Sequence, residues 1–390
     1  MAIAVVVMAS SALADPTPVA PPVTAADVAN QPRPGGESGR TDMPEGDSTL
    51  RVAGRAALFV PKLVVDAALT PIDGAVWMQD RYKLDELYYK LFFNDAHTVG
   101  LYPTATYATG FGITGGVRFV DRDLFGAHEW MALQATTGYI SGEPYHESFL
   151  AGANTGHRLG RIELGAEATF DRRPNDPFFG IGNTDLATAG VPHADPRAVA
   201  VSTHYRYQEA RAASYVDARV AGPLHARFTG AIVEHAMSRS SSGPAIDEVY
   251  DPGALVGWNG FTNLYGELEL RIDERRALAW EPVGLKSNGW LAAATLGRVH
   301  DLDVGGDFWR GSVELQDFIH LAKGPRMLAL RLRGEAVSGS AMDVPLIQLP
   351  MLGGGDFLRG YDFERFRDKV SALGSAEYIW DLSHWFAAAL

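Results

Sequence analysis

An Arg-Gly-aromatic triplet, Arg359-Gly360-Tyr361, stands inside the glycine-rich stretch Leu352 to Phe366, LGGGDFLRGYDFERF. Gly353, Gly354 and Gly355 open backbone dihedrals that other residues avoid, and Gly360 lets the chain pack closely beside Arg359 and Tyr361. The arginine brings a rigid fork of five N–H donors suited to a carboxylate. Its best partner in sequence is Glu377, in the next segment SALGSAEYIWDL. Alternation with period two puts Ser375 and Ile379 on the side of Glu377, and Ala376, Tyr378 and Trp380 on the other. The chemistry these types support is an ion pair that fixes a folded-back loop. A solvated surface arginine is the competing reading. Desolvation offsets much of the attraction in such a pair, so its expected value is positional.

A second constellation is NDPFFGIGNTD, Asn175 to Asp185. Phe178 and Phe179 are apolar anchors that would pack a loop onto its scaffold, and Gly180 and Gly182 let the backbone turn. An ordinary glycine-rich turn is the plain alternative. Asn183 and Asp185 lack a third ligand at metal-like spacing, so no metal is expected. The eleven histidines are scattered without HExxH, and no GxSxG elbow, Walker loop or dinucleotide fingerprint occurs. The glycine-rich run 110–116 has no helix after it to present an anion-binding terminus. Cysteine is absent, which removes disulfides and thiol nucleophiles. The expectation is a protein that is not an enzyme and has no cofactor. With 47 acidic against 34 basic residues, a net charge of −13 and no Lys/Arg cluster, nucleic acid is a poor partner.

The elements that must position these residues read as strands. From Thr98 the hydrophobic pattern has period two. Strands are expected at Thr98–Tyr107, Phe111–Phe119, Glu129–Ile140, Pro144–Ala153, Gly160–Phe170 and Tyr205–Val220. They continue at Ala226–Met237, Phe261–Ile272, Asn288–His300, Asp307–Phe318, Arg326–Val337 and Lys369–Trp380, with another beginning at His384. Glu163 and Glu167 share one face of their strand, while Leu164, Ala166, Ala168 and Phe170 share the other. A water-filled lumen facing the charges and lipid facing the apolar side explains such a series better than a soluble sandwich. The loops after Phe170, Met237 and Val337 are long, and the turns at 221–225 and 320–325 are short. Eleven strands precede the Arg-Gly-Tyr loop, which puts it at the same end as the other long loops. The fold class is therefore all-β, a transmembrane antiparallel barrel with about twelve to thirteen strands. The ending Asp381 to Leu390 enters a strand and stops, and a closed barrel needs an even count, so further strands are expected.

Upstream, residues 2 to 14 form a short apolar run ending Ala12-Leu13-Ala14, which reads as a signal peptide over residues 1–14. Residues 15–57 are rich in Pro, Gly and small polar types and read as a disordered linker. Residues 58–96 predict a short helix around Lys62 to Leu69 and a longer one around Asp73 to Phe92, set apart by Pro61 and Pro71. This segment would lie on the periplasmic side or reach into the lumen, ahead of an incomplete barrel over 97–390. No run after the N-terminus is long and apolar enough for a transmembrane helix.

The stretch around Arg359-Gly360-Tyr361 resembles the conserved loop motif of the bacterial surface antigen family. That superfamily holds the outer-membrane protein assembly factors and the two-partner secretion transporters. Residues Phe178 to Asn183, FFGIGN, are similar to a second stretch of that family. The resemblance covers roughly residues 98 to 390 and implies a sixteen-stranded barrel in the outer membrane of a Gram-negative bacterium. It implies that Arg359 contacts a lumen-facing acid at the position of Glu377, with a second acid in a strand beyond Leu390. It also implies a role in inserting or translocating polypeptides. Outer-membrane lipids and lipopolysaccharide, unfolded β-barrel or secreted clients, and a periplasmic accessory protein are the partners implied. The polypeptide-transport-associated (POTRA) domains of the family are expected to be absent as complete units. A porin-like or structural barrel, plugged by its long loop, is the alternative.

Overall fold

The computed structural model describes residues 4–6, 77, 81–108, 112–140, 143–156, 159–187, 192–240, 243–276, 288–303, 306–321, 326–339, 343–355, 357–381 and 387–389. Its strands are β1 (Ala4–Val6), β2 (Val99–Ala108), β3 (Gly112–Asp121), β4 (Trp130–Ile140), β5 (Glu143–Asn154), β6 (Ile162–Phe178) and β7 (Thr203–Ala221). There follow β8 (Leu224–Arg239), β9 (Phe261–Asp273), β10 (Gly289–Asp301), β11 (Asp307–His320), β12 (Arg326–Val337), β13 (Met351–Leu352), β14 (Phe366–Arg367), β15 (Val370–Asp381) and β16 (Ala387–Ala389). All but β13 and β14 belong to one fourteen-stranded sheet. From β2 to β12 each strand pairs antiparallel with the next, β12 pairs with β15, and β16 lies between β15 and β1.

All twelve segments expected from alternation are strands. One runs well past its expected end: β6 continues from Phe170 to Phe178 through an irregularity between Arg173 and Asp176. The break takes Pro174, which has no N–H to donate, out of the ladder. The sheet is not closed into a barrel among the described residues. The sheet ends at β2 on one side and β1 on the other, and among the described residues no ladder joins them. It is thus an open sheet of fourteen strands, in which β1 and β16 hold only three residues each. Such short strands cannot form a full-height wall. Residues 4–6, inside the expected leader, pair with 387–389, and the strand expected from His384 is described only there. The expected linker over 15–57 and the helix around Lys62 to Leu69 lie outside the described residues.

Of the second expected helix the structure describes residues 77 and 81–82 as helical and then α1 (Leu84–Phe92), and Lys83, at a left-handed φ of 48°, interrupts the helical path between them. Its aromatic side meets the inner face of the sheet: Phe93, just past the helix, stacks on Tyr102 with ring centroids 5.6 Å apart, and Tyr88 lies 5.7 Å from the same ring. Burial pushes the Tyr88 hydroxyl up to about 12.

Sidedness follows the alternation. Ile113, Phe228 and Leu332 on the outer face are 70%, 56% and 60% exposed, whereas Asp217 and Glu335 on the inner face are 7% and 8% exposed. Inner charges are paired across strands: Arg227 Nε lies 2.9 Å from Asp217, Arg331 Nε 2.8 Å from Glu314 and Arg310 Nε 2.6 Å from Glu335. Exposing a Leu, Ile or Phe to water forfeits about 1.5–3 kcal/mol of burial. A whole face of them suits lipid, while the paired charges suit an enclosed polar interior. Among the described residues no helix is long and apolar enough to cross a membrane.

The main apolar core sits at one end, inside the curve of the sheet. The connections β6–β7, β8–β9 and β12–β15 all leave from that end and fold back over the inner face. Ile181, Ile246, Tyr250, Leu255, Val344, Leu346 and Leu349 from these connections pack against Phe178, Tyr205, Tyr207 and Met237 of β6 to β8. Those three strands have 17, 19 and 16 residues. A tilted membrane strand needs only ~9–11, so their extra length forms the wall around this plug.

Candidate functional site

The two glycine-rich constellations, far apart in sequence, meet in the plug. Gly182 N–H donates to Arg367 O at 2.8 Å, and Arg365 Nη2 donates to Thr184 O at 2.7 Å. The Arg365 guanidinium lies 5.5 Å from the Phe179 ring, and that of Arg367 lies 5.5 Å from the Phe178 ring. Such stacking is worth ~2 kcal/mol when desolvated. Phe178 and Phe179 are 1% and 4% exposed, so they are core of the plug and not merely a cover at its mouth. Gly180 makes this approach feasible. Its φ is +88°, and a Cβ there would stand 2.6 Å from Pro196 O and 2.9 Å from Val199 O.

Arg367 is the centre of the arrangement, 2% exposed. It donates to Leu346 O at 2.7 Å, Glu364 Oε2 at 2.5 Å and Tyr205 Oη at 3.4 Å. Burial works against its charge, but the oxygens of Tyr205 and Glu364 more than offset that and raise its proton affinity. Glu364 also lies 3.7 Å from Arg173, which holds Asp171 at 2.8 Å and Asp176 at 3.2 Å. Serving two arginines keeps Glu364 in a left-handed conformation, φ 55°, that costs a non-glycine residue ~1–3 kcal/mol. A second tie runs from Gln348, whose amide is 3.0 Å from His235 Nε2 and 3.4 Å from Arg310 Nη1. Phe357 lies under Arg331 and Arg333, at 5.2 and 4.8 Å. The β12–β15 connection thereby touches β6, β7, β8, β11, β12 and β15, which requires the sheet to wrap round it.

The Arg359–Glu377 pair is brought together, with Nη2 3.3 Å from Oε2. Arg359 Nε also donates to Gly355 O at 3.2 Å. Side-chain exposures of 40% and 31% leave the pair half wet, in the range where an ion pair contributes ~0–1 kcal/mol. Gly360 has φ +99°, and Tyr361 stays 52% exposed, edge-on to Phe366 at 5.1 Å. The buried fastening is instead made by Glu364, Arg365 and Arg367, which alternation and motif reading passed over. Their one sequence signal is two arginines bracketing Phe366. Their acceptors, Thr184 O, Leu346 O and Tyr205, are remote and mostly backbone, so pattern alone does not reveal them. Among the described residues no group of three or more side chains is set to hold a metal. The arrangement binds a plug in place.

No family model matches the sequence, and no curated protein matches it. Among solved structures, the chain is similar to BamA from Haemophilus ducreyi lacking POTRA domains 1–3, at 10% identity and a TM-score of 0.49, over 73% of this chain and 53% of that one. It therefore spans about half the length of that BamA chain. It is also similar to OmpT, an outer membrane protein of Vibrio cholerae, at 9% identity and a TM-score of 0.35, over 75% of each chain. At such low identity and score neither likeness bears on activity.

Proposed function

We propose that this protein is an outer-membrane β-barrel of a Gram-negative bacterium that assists the membrane insertion or translocation of polypeptides. The observation that carries the membrane part is the inverted sidedness of the sheet, apolar side chains outward and paired charges inward. Lipids and lipopolysaccharide would surround the outer face. Two features support action on polypeptides. The edge strand β2 carries backbone N–H and C=O groups that no partner strand takes up among the described residues, and a client strand could pair there. The plug fills the end where the long connections gather, which disfavours a freely open pore. No bond is made or broken, so no cofactor is needed; a periplasmic accessory protein would deliver clients.

The buried Arg367 cluster also fits a porin-like or structural barrel whose long connection is a permanent plug. Reconstitution in liposomes separates the two readings. Faster folding of an unfolded outer-membrane β-barrel client in the presence of the protein is the expected outcome. Ion conductance with no gain in client folding would favour the plugged barrel.

A further inference from the structure

We propose that Arg206, on the outer face of β7, binds a phosphate monoester of lipopolysaccharide in the outer leaflet, with Arg172 of β6 beside it. The proposal rests on the membrane reading and adds a specific site to it. Tyr205 and Tyr207 point into the core and are 1% and 5% exposed, so Arg206 between them points outward. The same face of β7 continues through Gln208 to Ala210 and Ala212, passing from cation to amide to apolar. Ala210 pairs with Phe170 and Ala212 with Ile232, which places both alanines in the apolar outer band. Arg206 stands ~13 Å beyond Ala210 at the rise of a strand, toward the end where the long connections gather. Long connections are the external ones in membrane barrels, so this is the height of the outer-leaflet headgroups. At the other end of these strands the outward residues are Ile162, Leu164, Val216 and Phe228.

Arg206 has no counter-charge. Its Nε is buried without an acceptor, and its guanidinium has no hydrogen-bond or ion-pair partner among the described residues. The β6 ladder breaks opposite it, since Arg173 pairs with Tyr207 and Asp176 with Tyr205. On β8 it faces Ser238, which carries no charge. Glu234, the outward acid of β8, pairs with Ala210 and is ~13 Å away along the strands. Arg172 pairs with Gln208, a diagonal position ~7–8 Å from Arg206. Glu147 holds Arg172 at 3.2 Å in a half-exposed pair, which leaves N–H groups for a second acceptor. Two guanidinium groups placed this way repel unless an anion lies between them, and phosphate oxygens suit both forks. A monoester brings three free oxygens and nearly two negative charges, more than the diester of a phospholipid. Lipopolysaccharide carries such monoesters in the leaflet that Arg206 faces.

The test is native mass spectrometry of the full chain released from bilayers that hold lipopolysaccharide, either intact or stripped of its phosphate monoesters by phosphatase. The expected result is a preference of about tenfold for the intact lipid. Arg206→Gln should erase that preference, and Arg206→Lys, which keeps the charge without the fork, should keep part of it. Arg298→Gln should leave it whole, because Asp307 already holds Arg298 at 2.6 Å. Equal retention of the two lipids by wild type would overturn the proposal. So would equal losses in Arg206→Gln and Arg298→Gln, which would report general surface charge. Displacement of the intact lipid by an equal concentration of inorganic phosphate would overturn the assignment to a lipid. A wild-type chain that fails to enter bilayers would overturn the membrane reading itself, an outcome distinct from an inserted chain without preference.

Discussion

Strands β2 to β5 line their inner side mostly with Tyr102, Thr104, Thr114, Gly116, Gln134, Thr136, Gly138 and Ser148, with Arg118 and His146 among them, while β6 to β12 and β15 line theirs with paired charges. The first group has 10 to 12 residues per strand, and β6 to β8 reach 16 to 19. Cross-strand fastening in the first group is slight, for example Thr136 Oγ1 to Ser148 Oγ at 2.6 Å. The second group carries most of the ion pairs and every plug contact named above, while the first contributes His146 to Asp171 and Glu147 to Arg172 at their shared border. The ladder is common to both, so the difference lies in what the inner side chains hold. One half of the sheet is built around a plug. The other, which includes the edge strand β2, is held by its backbone and by the aromatic packing of Tyr88 and Phe93 on Tyr102, and local opening belongs where few tertiary contacts oppose it.

The largest expected effect comes from Arg367→Ala. It leaves Glu364 buried beside Tyr205 and should cost ~3–5 kcal/mol. Hydrogen exchange should rise through the β12–β15 connection and the ends of β6 to β8, with β2 to β5 unchanged. An equal rise in both halves would erase the distinction between them. Gly180→Ala should follow at ~1–3 kcal/mol, because its φ of +88° and the nearby Pro196 O resist a Cβ. Chemical denaturation with exchange readout should place that loss in the plug as well. Thr136→Val, on the lightly fastened side, should cost only ~0.5–1.5 kcal/mol and act on β4 and β5 alone.

The smallest effect is expected at Arg359 and Glu377. Each alanine variant should lose no more than ~1 kcal/mol, and protease should reach the loop slightly faster. The double variant should fall short of the sum if the two share one interaction. Full additivity would mean that the 3.3 Å approach carries no coupling.

Much of the sheet was legible along the chain. Strand positions follow from period two, because a side chain's face depends only on parity once the backbone is extended. That rule placed Glu377 inward with Ile379, and Glu163 and Glu167 opposite Leu164 and Phe170. The Phe178 to Gly182 and Leu352 to Phe366 stretches stood out because clustered glycine permits backbone forms that other residues resist. Three things needed the tertiary structure. The run of β6 past Phe170 depends on a break that disposes of Pro174 and on core contacts waiting for Phe178. The interruption at Lys83 is a backbone conformation for which its residue type carries no signal. The burial of Arg367, and its precedence over Arg359, rests on Leu346 O, Tyr205 and the Phe178 ring converging from three elements. Parity and turn chemistry are local and can be read from neighbours in sequence. Desolvation of a charge depends on everything that surrounds it in space, and only the folded chain determines that.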